Sequence, residues 1–270
     1  MVFLVDDIRQ GKELVIKKCP MTPPVTRRPK EVKILESLNH PNILILNSSY
    51  YNLEPKNPKL MFLNLVTPLM DCDLSKLIRT FRYQCTPFPP ALLKLYAYQM
   101  IKSLAYLECV GVVHRDIRPQ NFLVDLHTHR VVLGDFGSAT VAERSPIDES
   151  ISFRYYKAPE LLLGSGNHTA KSDIWALGCT IAELSKLRIV FAGDSDEQQP
   201  AKLFQVLGLP SKNELAKLFG VQDDRKRGSV FRSFGLKEVG LKTKLSICKK
   251  GMTSLSTYCQ KCSSSIQRRE

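Results

Sequence analysis

The chain has 270 residues, 43% of them hydrophobic and 24% charged, with 39 Lys and Arg against 26 Asp and Glu. That length and balance exclude a disordered, collagen-like or disulfide-stapled mini-protein and predict a folded unit with room for two packed lobes. No apolar run approaches the roughly 20 residues of a membrane span, and Met1-Val-Phe-Leu-Val-Asp-Asp7 has neither a basic start nor a long apolar stretch, so a soluble, unsecreted protein is expected.

In chain order, Leu14-Val-Ile-Lys-Lys18 predicts a short buried strand that Pro20, Pro23 and Pro24 interrupt. Glu31 to Leu38 predicts a helix with Val32, Leu35 and Leu38 on its apolar side. The apolar runs Ile43 to Leu46 and Leu60 to Val66 have the length and boundaries of strands. After Pro68 the pattern changes. Leu93, Ala97, Met100, Leu104 and Leu107 recur at spacings of four and three, with Lys94 and Lys102 opposite, which predicts a long core-facing helix. Ile174, Leu177, Ile181 and Leu184 repeat that pattern around Trp175. Leu203 to Leu209 and Glu214 to Leu218 predict shorter helices divided by Pro210. The expected fold class is α+β, with a small, mostly sheet lobe over residues 1–67, a mostly helical lobe over 68–220 and a basic, divergent segment over 221–270.

That last segment holds most of the charge excess, 12 Lys and Arg against 4 Asp and Glu from Val221 onward. No nucleic-acid motif stands beside it, so a solvated segment is expected, and neither nucleic acid nor a membrane is an expected partner. The eight cysteines are too sparse for a disulfide scaffold and predict reduced thiols, hence a cytoplasmic or nuclear protein. Cys259-Gln-Lys-Cys262 has zinc-ligand spacing but no second pair, and is expected to be surface thiols.

The chemistry lies in three segments in fixed order: His114-Arg-Asp-Ile-Arg-Pro-Gln-Asn121, Asp135-Phe-Gly137 and Ala158-Pro-Glu160. Transfer of a phosphoryl group needs a divalent cation on hard oxygen ligands and an acceptor placed for the incoming hydroxyl. Asp116, Asn121 and Asp135 supply that set. Any one triplet would be weak evidence; the ordered series is strong.

With these segments, Leu14-Val-Ile-Lys-Lys18, His40-Pro-Asn-Ile43, Phe62-Leu-Asn-Leu-Val66, Ser103-Leu-Ala-Tyr106, Gly134-Asp-Phe-Gly-Ser-Ala139, Phe153-Arg-Tyr-Tyr-Lys-Ala-Pro-Glu-Leu161 and Gly193-Asp-Ser195 make the chain resemble the eukaryotic protein kinases, and more narrowly the glycogen synthase kinase-3 family, from Val2 to about Phe219. The resemblance implies a two-lobed kinase fold and a serine/threonine protein kinase using ATP and Mg2+, with protein substrates and scaffold proteins as partners. By the same resemblance, Asp116 takes or orients the substrate hydroxyl proton and Asn121 and Asp135 are the metal ligands. Lys17 is matched to the nucleotide phosphates and Glu31 to its partner. Thr67 falls at the gatekeeper, Pro68 and Met70 at the hinge that binds adenine, and Val2, Val15 and Leu123 against the base. Arg118 stands for the catalytic-loop lysine that steadies the γ-phosphate. Glu160, Asp173 and Trp175 are expected to brace the catalytic and activation segments, and His114 to be a core histidine.

The same comparison carries departures. Counting back from Lys17, Met1 falls near the end of the family's glycine-rich loop, so the first strand and that loop are expected to be missing from residues 1–67. The alternative reading is therefore an impaired, scaffold-like kinase or an incomplete gene product. Val15 replaces an alanine and crowds the base. Ser150 replaces the activation-loop tyrosine, and Ser145-Pro146 lies in the same segment. Gly251 falls near the place of the arginine that pairs with Glu160. Of three cations for a priming phosphate, Lys30 and Arg115 are matched and Thr140 replaces the third, which predicts a weakened preference for pre-phosphorylated substrates.

Overall fold

The computed structural model describes residues 1–8, 11–21, 28–54, 57–141, 153–162, 168–196 and 198–208. Val2–Asp7 (β1), Lys12–Met21 (β2), Ser48–Glu54 (β3) and Asn57–Pro68 (β4) pair antiparallel in the order β1-β2-β4-β3. Directly paired residues of antiparallel strands share a face. The registers Val2 to Lys17 to Leu65 and Leu4 to Val15 to Thr67 therefore put all six side chains on one side. Helix α1 (Lys30–Ser37) covers that side, with Val32 fully buried in a cluster with Leu63 and Leu65.

Two expectations for this lobe are corrected. Pro20 does not interrupt β2, which continues to Met21. The Lys18 N–H points to the Met1 carbonyl, so two residues on the proline nitrogen also faces away from β4, and the Pro20 to Phe62 pairing with β4 loses no ladder bond. Ile43 to Leu46 is not a strand. Ile43 makes only a parallel bridge to Leu133, with Leu44 N–H on the Leu133 carbonyl and Leu133 N–H on the Asn42 carbonyl, both at 2.9 Å. Ile43 is buried against the second lobe, Leu44 and Leu46 are half-buried, and Ile45 is exposed. The strand itself is Ser48–Glu54, an edge strand whose Tyr50, Tyr51 and Leu53 are exposed and leave no buried run to read.

The second lobe is helical around two small sheets. Its helices are α2 (Leu74–Tyr83), α3 (Pro90–Cys109), α4 (Pro159–Leu162), α5 (Ala170–Lys186) and α6 (Gln199–Leu207). One sheet orders β5 (Cys72–Asp73), β7 (Phe122–Asp125) and β8 (Arg130–Leu133); the other pairs β6 (Val112–Val113) with β9 (Thr140–Val141). Helix α2, which apolar spacing alone did not expose, is announced by Asp73, whose Oδ1 accepts from Lys76 N–H at 2.8 Å. Thr169 and Ser172 exchange bonds in a capping box that starts α5. Tyr96, Met100 and Leu107 from α3 meet Leu133, Phe136, Leu177 and Leu184 in one core. This is the expected α+β, two-lobed arrangement. The helix Glu214 to Leu218, Ser145, Ser150, Gly251 and the Cys259–Cys262 pair lie outside the described residues.

The lobes are joined at the His40-Pro-Asn-Ile43 segment. His40 stacks on Tyr106 with centroids 5.0 Å apart, Tyr106 accepts from Asn39 N–H at 2.9 Å, and Asn42 Nδ2 donates to Gln99 Oε1 and the Val131 carbonyl, each at 2.8 Å. Burial, then the Lys102 charge, pushes His40 down to about 4. The unfolded chain therefore takes the proton first. The stabilisation from neutral His40 is present above the ordinary histidine value and is lost as pH falls towards 4. His40→Phe keeps a ring on Tyr106 but cannot titrate. Its drop in melting temperature between pH 7.5 and 5 is expected to be smaller than that of the unmodified protein by roughly 2 °C or more; an equal drop would assign the acid sensitivity to other groups.

Candidate functional site

Lys17 leaves β2 on the face that α1 covers, and Glu31 stands in the first turn of that helix, where the N-terminal dipole favours a carboxylate. Lys17 Nζ donates to Glu31 Oε1 at 3.0 Å and to Asp135 Oδ1 at 2.6 Å. Burial alone would lower the Lys17 ammonium, but the Asp135 bond and the charges of Glu31 and Asp135 outweigh it and hold it above the ordinary lysine range. Burial would likewise raise Asp135, and the Lys17 bond and charge hold its carboxyl below the usual carboxylate range. The sequence pairs Lys17 with Glu31 alone; the bond to Asp135 crosses 118 positions and has no local signal. Asp135 reaches it through a left-handed backbone, φ 56°, which is strained for a residue with a Cβ.

Asp116, Arg118 and Asn121 form the other half. Asn121 Nδ2 donates to the Asp116 carbonyl at 2.7 Å and to Asp116 Oδ2 at 2.9 Å, which leaves Asn121 Oδ1 as the atom to meet a cation. Arg118 Nε lies 3.1 Å from Asp116 Oδ2. The halves meet through the backbone, where Gly134 N–H donates to the Asn121 carbonyl at 2.8 Å immediately before Asp135. His114 is fully buried: its Nδ1 accepts from Asp116 N–H at 3.3 Å, so Nε2 carries the proton and donates to the Gly134 carbonyl at 3.0 Å. Burial pushes its pKa down against that bond and the Asp116 and Asp135 charges. Neutral, and edge-on to Phe136 at 4.8 Å, it is a spacer between the two carboxylate-bearing segments.

Val2, Val15 and Thr67 share the Lys17 face by register, and Pro68 pairs with Leu14 at the end of β4. Leu123 of β7 pairs with Asp73 and Val132, with its Cδ1 3.6 Å from where a Gly134 Cβ would stand. No bond joins Pro68 or Met70 to the charged cluster among the described contacts. Arg115 Nε donates to the Ser138 carbonyl at 2.6 Å, and its charge, after burial, lowers the Lys30 ammonium, so these two cations sit in one field. Thr140 is fully buried in β9. Glu160 is half-buried, with burial raising its carboxyl against the charge of Lys171. The sequence assigns no role to Phe153, yet its ring carries the Arg118 guanidinium carbon 5.4 Å from its centroid.

Asp135 and Asn121 offer two hard oxygen donors, and no group of three His, Cys, Asp or Glu able to hold a metal occurs among the described residues. That donor set fits Mg2+, which completes its octahedron with water and phosphate oxygens, better than a metal needing an all-protein cage. No helix among the described residues is long and apolar enough to cross a membrane. A family model described as a protein kinase domain matches residues 1–227. Glycogen synthase kinase 1 of Pyricularia oryzae is 38% identical over 187 residues, which is 69% of this chain and 47% of that relative. The chain thus spans about half the length of that relative.

Proposed function

Because this chain belongs to the protein kinase family, we propose that it transfers the γ-phosphoryl group of ATP to serine or threonine hydroxyls of protein substrates, in the manner of the glycogen synthase kinase it resembles. The observation that carries the reading is Lys17 shared between Glu31 and Asp135. A cation shared by two carboxylates is oriented before any nucleotide arrives, and phosphoryl transfer depends mainly on positioning and electrostatics. In this reading Lys17 holds the nucleotide phosphates while Glu31 fixes its stem. Mg2+, held by Asp135 Oδ2 and Asn121 Oδ1, would spread the charge of the triphosphate. Asp116 keeps Oδ2 on Asn121 and turns its other oxygen to the substrate hydroxyl, and Arg118 adds positive charge beside it. Val2, Val15, Thr67, Pro68, Met70 and Leu123 frame the adenine. Protein substrates and scaffold proteins are the proposed partners. The five described cysteines are free thiols, which supports the cytoplasm or nucleus as the compartment.

Melting with and without MgATP, beside transfer of radiolabelled phosphate to a peptide mixture, tests the reading. A ligand present at about 100 times its Kd raises stability by about 2.7 kcal/mol, worth roughly 5–10 °C for a domain of this size. No shift together with no transfer at millimolar ATP would leave a kinase-like scaffold. In the same assay, peptides with and without a phosphoserine test substrate choice. With Thr140 buried and Lys30 and Arg115 the two matched cations, the two rates are expected to differ by less than about tenfold, the worth of one charge-assisted contact; a larger ratio would refute the weakened preference.

A further inference from the structure

Arg118 is attracted by Asp116 but not aimed by it. Its Nε is 3.1 Å from Asp116 Oδ2, yet that buried N–H has no hydrogen-bond partner among the described residues, because the contact is misaligned. Asp116 Oδ2 already accepts from Asn121. A point charge such as an ammonium would tolerate this arrangement, whereas a guanidinium is a flat fork whose action depends on the direction of its plane. Phe153 bounds that plane. The Arg118 guanidinium carbon lies 5.4 Å from the ring centroid, within cation–π range.

The ring stands on a rigid base. Phe153 opens the tight turn Arg154–Tyr156, with the Tyr156 N–H on its carbonyl at 3.0 Å. Tyr155 meets it edge-on at 5.5 Å, and the buried Tyr156 hydroxyl donates to Glu183 Oε2 of α5 at 2.5 Å. Phe153 is 50% exposed, and the two groups that meet its ring are Tyr155 and the Arg118 guanidinium. We propose that Phe153 is a positioning residue, whose ring carries the Arg118 guanidinium and sets where that charge stands beside Asp116. The proposal rests on the kinase reading for its effect on rate, but the contact itself does not.

The test is a double-mutant cycle on the full chain, read by kinetics and by the NMR signal of the Arg118 Nε–H group, assigned by its loss in Arg118→Ala. Phe153→Leu is expected to lower kcat by roughly 3- to 30-fold, with KM for MgATP within about twofold because Lys17 and Asp135 are untouched. Phe153→Tyr should restore kcat to within about twofold. In the Arg118→Ala background, Phe153→Leu should cause no further loss. The Nε–H signal should lie upfield in the unmodified protein, shielded by the ring face, and move downfield in Phe153→Leu. An equal kcat loss in both backgrounds, or a signal that does not move, overturns the proposal. Absence of transfer by the unmodified protein with the signal still moving would overturn the kinase reading and support the placement of Arg118.

Discussion

Asp116→Asn is expected to lower kcat by about 10²- to 10⁴-fold, the range for losing a positioned proton acceptor, while the protein stays folded. The carboxylate has two separable jobs. Its Oδ2 holds Asn121 Nδ2 at 2.9 Å, and an asparagine amide oxygen can take over that bond. Its other oxygen is the one left for a substrate hydroxyl, and there the substitution puts an NH2 group that cannot accept a proton. The Arg118 contact is an ion pair without an aligned hydrogen bond, so its loss costs little, and the melting temperature should fall by less than about 4 °C. KM for MgATP should change by less than about threefold, since Lys17, Glu31 and Asp135 are bonded to one another and not to Asp116. Steady-state transfer and a melting curve on the same preparation decide the matter. A kcat loss below tenfold would remove Asp116 from the proton transfer, and a large fall in melting temperature would recast the loss as unfolding.

How much of this site the sequence carried depends on how local each contact is. Val32 was legible because a helix repeats every 3.6 residues and Val32, Ile34 and Leu35 are its buried side, whereas Glu31 was legible only through the family resemblance. Asp116 and Asn121 were legible because both stand in one short motif, His114 to Asn121, and the structure bonds them to each other. The bond from Lys17 to Asp135 was not, since a charge seeking a partner can choose any carboxylate the fold brings near, and no periodicity encodes that choice. Phe153 was invisible for a related reason: a cation–π contact leaves no spacing pattern, and an exposed aromatic reads as surface. Two of the fold errors lie side by side. Ile43 is apolar because it is buried against the second lobe, where it makes one bridge and no strand, and Ser48–Glu54 is an edge strand whose Tyr50, Tyr51 and Leu53 face solvent, so in neither place did hydrophobicity mark the secondary structure.

Asp173→Ala should be the most destabilising single change near the site, by roughly 3–5 kcal/mol, or about 8–16 °C in melting temperature. Asp173 is buried in the first turn of α5 and accepts two backbone bonds from the catalytic segment, His114 N–H at 2.7 Å on Oδ2 and Arg115 N–H at 2.9 Å on Oδ1. Those bonds hold Arg115 in a left-handed conformation, φ 69°, that would otherwise relax and carry Asp116 with it. Alanine leaves both donors buried and unpaired. Asparagine keeps one acceptor and turns an NH2 group on the other donor, so its loss should be intermediate. Burial pushes the Asp173 carboxyl up to about 7, against the pull of the two N–H groups and Arg115. The folded chain then binds this proton more tightly than the unfolded chain between about pH 4 and 7, and its contribution to stability falls as pH rises through that window. Asp173→Asn has no such slope, so the advantage of the unmodified protein over it should narrow from pH 5 to pH 8. A gap that stays constant from pH 5 to pH 8 would mean that the two backbone bonds outweigh burial and keep the carboxylate charged.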